Sequence, residues 1–166
     1  MVRRKNGEKS ERTNHTNGTG RGEMVDYGPL ADWVGFNLRM AQAASFQAFS
    51  RLAKEIGTRP GRFATLMLIG RNPGISQTAL SRANGRDKSS LTPVLNDLER
   101  RGFIRRRRTH DDQRTYRLTL TPAGRKLLAQ LTRCARIHER NLDRVIGPRE
   151  HKAFVRALRR IIAEIG

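Results

Sequence analysis

The chain has 166 residues, with 34 Lys plus Arg against 15 Asp plus Glu and a formal net charge of +19. That length suits one domain by the usual range of ~100–200 residues, and the charge is the footprint of a protein whose partner is a polyanion, nucleic acid first. No apolar run approaches the ~18 residues of a membrane span, no secretory core follows the basic N-terminus, and a single cysteine excludes an internal disulfide, so the chain is expected in the cytoplasm.

Residues 1–26 carry six cations and four acids, a net of +2, and almost no apolar side chains. Such a segment cannot offset the entropy of ordering and reads as a disordered polar tail. Residues 30–55 bring Trp33, Phe36, Met40, Ala43, Ala44, Phe46 and Phe49 onto a broad apolar face, a long helix that Gly57 ends. A second helix over residues 60–69 places Pro60 in its first turn and buries Phe63, Leu66, Met67 and Ile69.

After the Asn72-Pro73-Gly74 breaker a short helix opens at Ser76, its expected N-cap, and continues through Gln77, Ala79, Leu80 and Ala83 to the Asn84-Gly85 turn. The next helix starts with Asp87 as cap and runs to Arg101. Leu91, Val94, Leu95 and Leu98 form its buried stripe, and Lys88, Ser89, Ser90, Thr92, Asn96 and Arg100 its polar face. Hydrogen-bonding groups and cations gathered toward a helix N-terminus suit base edges in a major groove. Pro93 lies near enough to the start that its missing N–H costs less there.

Gly102 closes that helix, and two strands follow, residues 103–108 and 115–120, around a polar loop of hairpin size. Arg105, Arg106, Arg107 and Arg108 line the first strand, while in the second Tyr116, Leu118 and Leu120 share one face and Arg117 and Thr119 the other. A ribbon of this kind, tipped by Arg114, suits phosphate contact and insertion of an arginine into a narrow minor groove. Thr121-Pro122 opens a helix to Ile146, striped by Leu127, Leu128, Leu131, Cys134, Ala135, His138, Leu142 and Val145. Gly147-Pro148 breaks it, and a last helix carries Phe154, Val155, Leu158, Ile161, Ile162 and Ile165.

The elements therefore predict a mainly α fold with a small β-hairpin (α+β), a winged helix-turn-helix embedded between terminal helices. Those outer helices are more apolar on one face than a small winged helix needs, which points to a homodimer presenting two recognition helices to double-stranded DNA about one turn, ~34 Å, apart.

The stretch from Asp87 to Leu128 resembles the MarR family of bacterial transcription regulators. The family pattern has an aspartate opening the recognition helix, a V/L-x-x-L-E-x-x-G-x-I/V-x-R passage, a D-x-R wing tip and an L-T-x-x-G exit into a long helix. These fall on Asp87, then on Val94, Leu95, Leu98, Glu99, Gly102, Ile104 and Arg106, then on Asp112 and Arg114, then on Leu120, Thr121 and Gly124. Many members have consecutive arginines where this chain has Gln113-Arg114-Thr115, one phosphate contact fewer with the D-x-R core intact. The resemblance implies a single domain over residues 27–166, with the winged helix-turn-helix at 59–121 and dimerisation helices at 30–56 and 122–166.

It also implies a ligand-released repressor that binds a pseudo-palindromic operator as a homodimer. The expected DNA contacts are Ser76, Gln77, Asp87, Lys88, Ser89, Ser90, Thr92, Pro93, Asn96, Arg100, Arg106, Arg107, Arg108, Asp112 and Arg114. Asp112 is expected to buttress Arg114 as that side chain enters the minor groove. Many members release DNA when a small aromatic or anionic ligand wedges between dimerisation helices and winged helix. The residues this points to are Trp33, Phe36, Met40, Arg62, Phe63 and Met67, a stripe that at helical spacing equally serves as plain core. Within the family the phrasing around Asp87 looks most like regulators of aromatic-acid catabolism that answer to aromatic acids or their coenzyme A thioesters.

Peroxide-responsive members carry a reactive cysteine near the N-terminal helix, where this chain has none. Cys134 and His138 share a helix face, but two ligands fall short of the three or four that zinc needs, so no metal is expected. No P-loop, G-x-S-x-G or H-E-x-x-H motif occurs, so neither an enzyme nor a cofactor is expected. The alternative is a nonspecific architectural DNA binder, which charge alone would fit. The polar recognition face at Ser89, Ser90 and Asn96 favours sequence reading.

Overall fold

The computed structural model describes residues 25–57, 61–108 and 116–165. Among them the order is α1 (Val34–Leu52), α2 (Arg62–Arg71), β1 (Ile75–Ser76), α3 (Gln77–Ala83), α4 (Lys88–Arg100), β2 (Ile104–Arg108), β3 (Tyr116–Leu120), α5 (Pro122–Ile146) and α6 (His151–Ile165). The chain divides into two compact units, residues up to Asn37 and residues from Leu38 onward.

In the first unit the helix expected from residue 30 does not begin there. Gly28–Asp32 forms a 3-10 turn with Pro29 near its start, and Trp33 is extended (φ −79°, ψ 125°) before α1 opens. The Asn37 amide explains the break, donating to Ala31 O at 2.8 Å and to Trp33 O at 2.9 Å, a local alternative to helical bonding. Tyr27 packs on Phe36 with ring centroids 5.5 Å apart.

The second unit holds the core. Phe49, Ala53, Leu66, Ile69, Leu80, Leu91, Leu95, Leu98, Ile104, Leu118, Leu127 and Leu131 are buried together, drawn from α1 to α5 and from the sheet. Each fully buried leucine contributes roughly 1.5–3 kcal/mol relative to exposure, so the three α4 leucines fix which face of that helix points outward. Phe63 and Met67, expected to be buried, are half-buried, because α2 turns only Thr65, Leu66 and Ile69 fully inward. Val145, expected on the covered stripe of α5, is 85 % exposed, since the last turn of α5 runs past the core.

Helix starts follow the predicted chemistry. The Ser76 hydroxyl accepts from Ala79 N (3.2 Å), the Asp87 carboxylate from Ser90 N (2.7 Å) and the Thr121 hydroxyl from Gly124 N (3.0 Å), each satisfying a first-turn donor. Gly102 adopts φ 72° after α4, and Gly102 N and Phe103 N close back on Glu99 O and Leu98 O.

Among the described residues the sheet has three antiparallel strands in the order β1-β3-β2, where two were expected. Ile75 pairs with Leu118 and Ser76 with Arg117, a two-residue strand too short to leave an alternating pattern in sequence. On the other side of β3, Ile104 pairs with Leu120, Arg106 with Leu118, Arg107 with Arg117 and Arg108 with Tyr116. No helix among the described residues is long and apolar enough to cross a membrane.

Candidate nucleic-acid interface

The surface begins at the N-terminus of α4. Asp87, Lys88, Ser89 and Ser90 are all exposed. The Asp87 carboxylate accepts from the Ser89 hydroxyl (2.6 Å) as well as from Ser90 N, while the Ser90 hydroxyl donates to Asp87 O (3.1 Å). The Ser89 hydroxyl first, and the Ser90 N–H second, hold the Asp87 carboxyl below the usual carboxylate range. One turn on, Thr92 donates to Lys88 O (2.7 Å) and accepts from the Gln77 amide (2.8 Å), tying α3 to α4. Pro93 is exposed inside an unbroken helix.

The C-terminal half of α4 is held from two sides. Asp97 pairs with Arg62 of α2 at 2.6 Å and with Arg100 at 2.7 Å, and the Arg100 hydrogen bond is the largest cause of its lowered carboxyl pKa. From the sheet, Arg106 Nη2 donates to Asn96 Oδ1 at 2.6 Å, and its Nε lies 3.1 Å from Glu99 Oε2, off the N–H direction and so a Coulombic pair rather than a hydrogen bond. The Arg106 side chain is only 14 % exposed. It follows Ile104 on the core side of β2, and its guanidinium is spent on α4, although the sequence placed it among the phosphate contacts.

Arg105 and Arg107 project from the opposite, outer face of β2, and both are exposed. Arg107 stands directly across from Arg117, which donates to Gly74 O at 3.3 Å. Like charges directly opposite are unfavourable unless an anion lies over them. Among the described residues no carboxylate lies within ion-pair range of Arg105, Arg107 or Arg117. Arg117 and Glu99 are the residues sequence reasoning passed over. The alternation of Arg117 with Tyr116 and Leu118 was the available signal for the first; the second stood in the L-E-x-x-G passage of the family pattern, but nothing local marked its pairing with Arg106. Arg108 curls onto Tyr116, 3.0 Å from the hydroxyl and 5.3 Å from the ring centroid. Asp112 and Arg114, the expected wing tip, lie outside the described residues.

The six residues named for an effector fall in both units. Trp33 is 60 % exposed, and Phe36 packs on Tyr27. Within the second unit Met40 is exposed and receives a contact from the Arg39 guanidinium, Met67 is half-buried, Phe63 stacks on Phe49 at 5.6 Å, and Arg62 is engaged by Asp97. Cys134 donates to Leu52 O (3.3 Å) and His138 bonds the Ser45 hydroxyl through Nε2 (2.9 Å), so the two side chains face separate partners on the α1 side.

A three-stranded basic wing behind a helix whose polar face is uncovered defines a winged helix-turn-helix DNA-binding protein. Residues 59–116 match the MarR family. A putative transcriptional regulatory protein for the hcr operon of Thauera aromatica is 34% identical over 140 residues, covering 84% of each chain. Among solved structures, the transcriptional repressor CouR bound to a 23-mer DNA duplex superposes with a TM-score of 0.77 at 30% identity, covering 84% of this chain and 99% of that one. CouR bound to p-coumaroyl-CoA superposes with a TM-score of 0.76 at 29% identity, covering 85% and 99%. The chain belongs to the MarR family of transcription regulators. Its relatives are regulators, not enzymes.

Proposed function

We propose that this protein is a cytoplasmic repressor that binds a pseudo-palindromic operator as a homodimer and is released by a small aromatic acid or its coenzyme A thioester. The observation that carries the reading is the pairing of two surfaces. The uncovered polar face of α4, with Lys88, Ser89, Pro93 and Asn96 exposed, adjoins a sheet whose outer face sets Arg107 against Arg117. In this reading α4 meets base edges in a major groove and the outer arginines of the sheet meet phosphates. Asp112 and Arg114 act at the wing tip.

The homodimer is supported by apolar surface on the last two helices. No residue of α6 is buried, and Ile162, Ile165 and Val145 are 71 %, 81 % and 85 % exposed. Side chains of this kind are what a second copy would cover. The effector class is supported by CouR, at 29% identity the relative bound to p-coumaroyl-CoA.

The test is a titration against an operator duplex and its scrambled counterpart, repeated at several salt concentrations and with candidate thioesters added. Operator binding ~10³-fold or more tighter than scrambled is the expected result, with loss of the complex on adding the effector. Equal affinity for both duplexes and a steep salt slope would show an architectural binder instead.

A further inference from the structure

Arg106 and Asn96 together fix something the residue types alone leave open. An asparagine amide has an acceptor on one side and two donors on the other, and its common major-groove contact uses both, accepting from adenine N6 while donating to N7. That contact needs the oxygen and the nitrogen turned together toward the base edge, so the direction in which the oxygen points decides whether it can form. In this structure Asn96 Oδ1 is held at 2.6 Å by Arg106 Nη2. A guanidinium has donors only, so the atom facing it must be the oxygen. Turning the amide over would set donor against donor and lose a charge-assisted hydrogen bond.

Arg106 is itself held in place. Its strand is anchored by buried Ile104, its cross-strand neighbour is buried Leu118, its Nε sits 3.1 Å from Glu99 and its side chain is 14 % exposed. Asn96 is exposed on the same helix face as Lys88, Ser89 and Pro93. With its oxygen turned inward to the sheet, it presents only the Nδ2 donors outward.

We propose that Arg106 is a positioning residue rather than a phosphate contact, and that the Arg106 hydrogen bond makes Asn96 a donor-only reader selecting guanine over adenine. Guanine shows two neighbouring acceptors, N7 and O6, in the major groove. Adenine puts the N6 donor where the second acceptor would be. The inference rests on the reading that α4 enters the major groove.

The test is selection of bound duplexes from a randomised library by the full chain as wild type, Asn96→Ala, Ser89→Ala and Arg106→Met, with affinities then measured across salt. Asn96→Ala should flatten preference at one base pair per half-site, and the wild type should favour guanine over adenine there by about fivefold or more. Arg106→Met frees the amide and should move that same position toward adenine, leaving the slope of log affinity against log salt unchanged. Adenine selected by the wild type at the Asn96-dependent position would overturn the proposal, as would a slope reduced by about one in Arg106→Met, the mark of a lost phosphate contact. If Arg106→Met does not fold, the comparison of wild type with Asn96→Ala decides alone. No change for Asn96→Ala beside a clear change for Ser89→Ala would sink the inference and spare the placement of α4. No altered preference in any α4 variant would take that placement down as well.

Discussion

At Gly124 the chain has no room for any other residue. A Cβ built there would lie 1.9 Å from the carbonyl oxygen of Phe103, a backbone atom that cannot swing aside because the same oxygen accepts from Thr121 N. The glycine lets the first turn of α5 pass against the start of the wing. Gly124→Ala is expected to destabilise the fold by about 2–3 kcal/mol, read as a lower urea midpoint with an unchanged slope. The glycine was visible in sequence as part of the L-T-x-x-G exit, but its reason was not. The obstructing atom lies 21 positions upstream and arrives only when the sheet forms.

Helix α4 shows what an element's own residues can settle. Its leucine spacing and the Asp87 cap were legible in the sequence, because both follow from the 3.6-residue turn and from orphan donors at a helix start. Its electrostatics have a pH signature. The Asp87 carboxyl is lowered by the Ser89 hydroxyl and the Ser90 N–H, and that of Asp97 by Arg100 first and then by Arg62 and Arg101. A carboxyl lower in the folded state stabilises fully above its unfolded value, ~3.9 for Asp, and that stability is lost as pH falls through the depressed value. Asp87→Asn keeps a capping oxygen but cannot ionise. The wild type should therefore be the more stable at pH 7, and the gap should close below about pH 4. Unfolding curves at both ends of that range check it, and a gap that persists in acid would show that the cap does not depend on charge.

For the molecule as a whole, the exposed faces of α5 and α6 make assembly the central question. Ile162 and Ile165 face solvent in the single chain, and in the proposed homodimer a glutamate at either position would be buried between two copies. Ile162→Glu and Ile165→Glu should leave the fold intact, halve the sedimenting mass and weaken operator binding by about 10²-fold, because two linked half-site contacts become one. Undiminished mass would place the twofold contact elsewhere. The pair His151 Nδ1 and Asp143 Oδ1, 2.8 Å apart across the Gly147-Pro148 break, ties the start of α6 to α5. A local period cannot reveal that contact.

Sequence by itself determined most of the helices, the two wing strands, the helix caps at Ser76, Asp87 and Thr121, the family and the identity of the polar face on α4, since these are written in residues near one another in the chain. It went wrong or fell silent where partners are distant in the chain. Asn37 cut the expected first helix by bonding back to Ala31 and Trp33. The strand at Ile75–Ser76 exists only because β3 passes beside it. Arg106, one of four consecutive arginines, looked no different from Arg107. Only tertiary structure separated them, because strand alternation sends one guanidinium toward Asn96 and Glu99 and leaves the other exposed on the outer face.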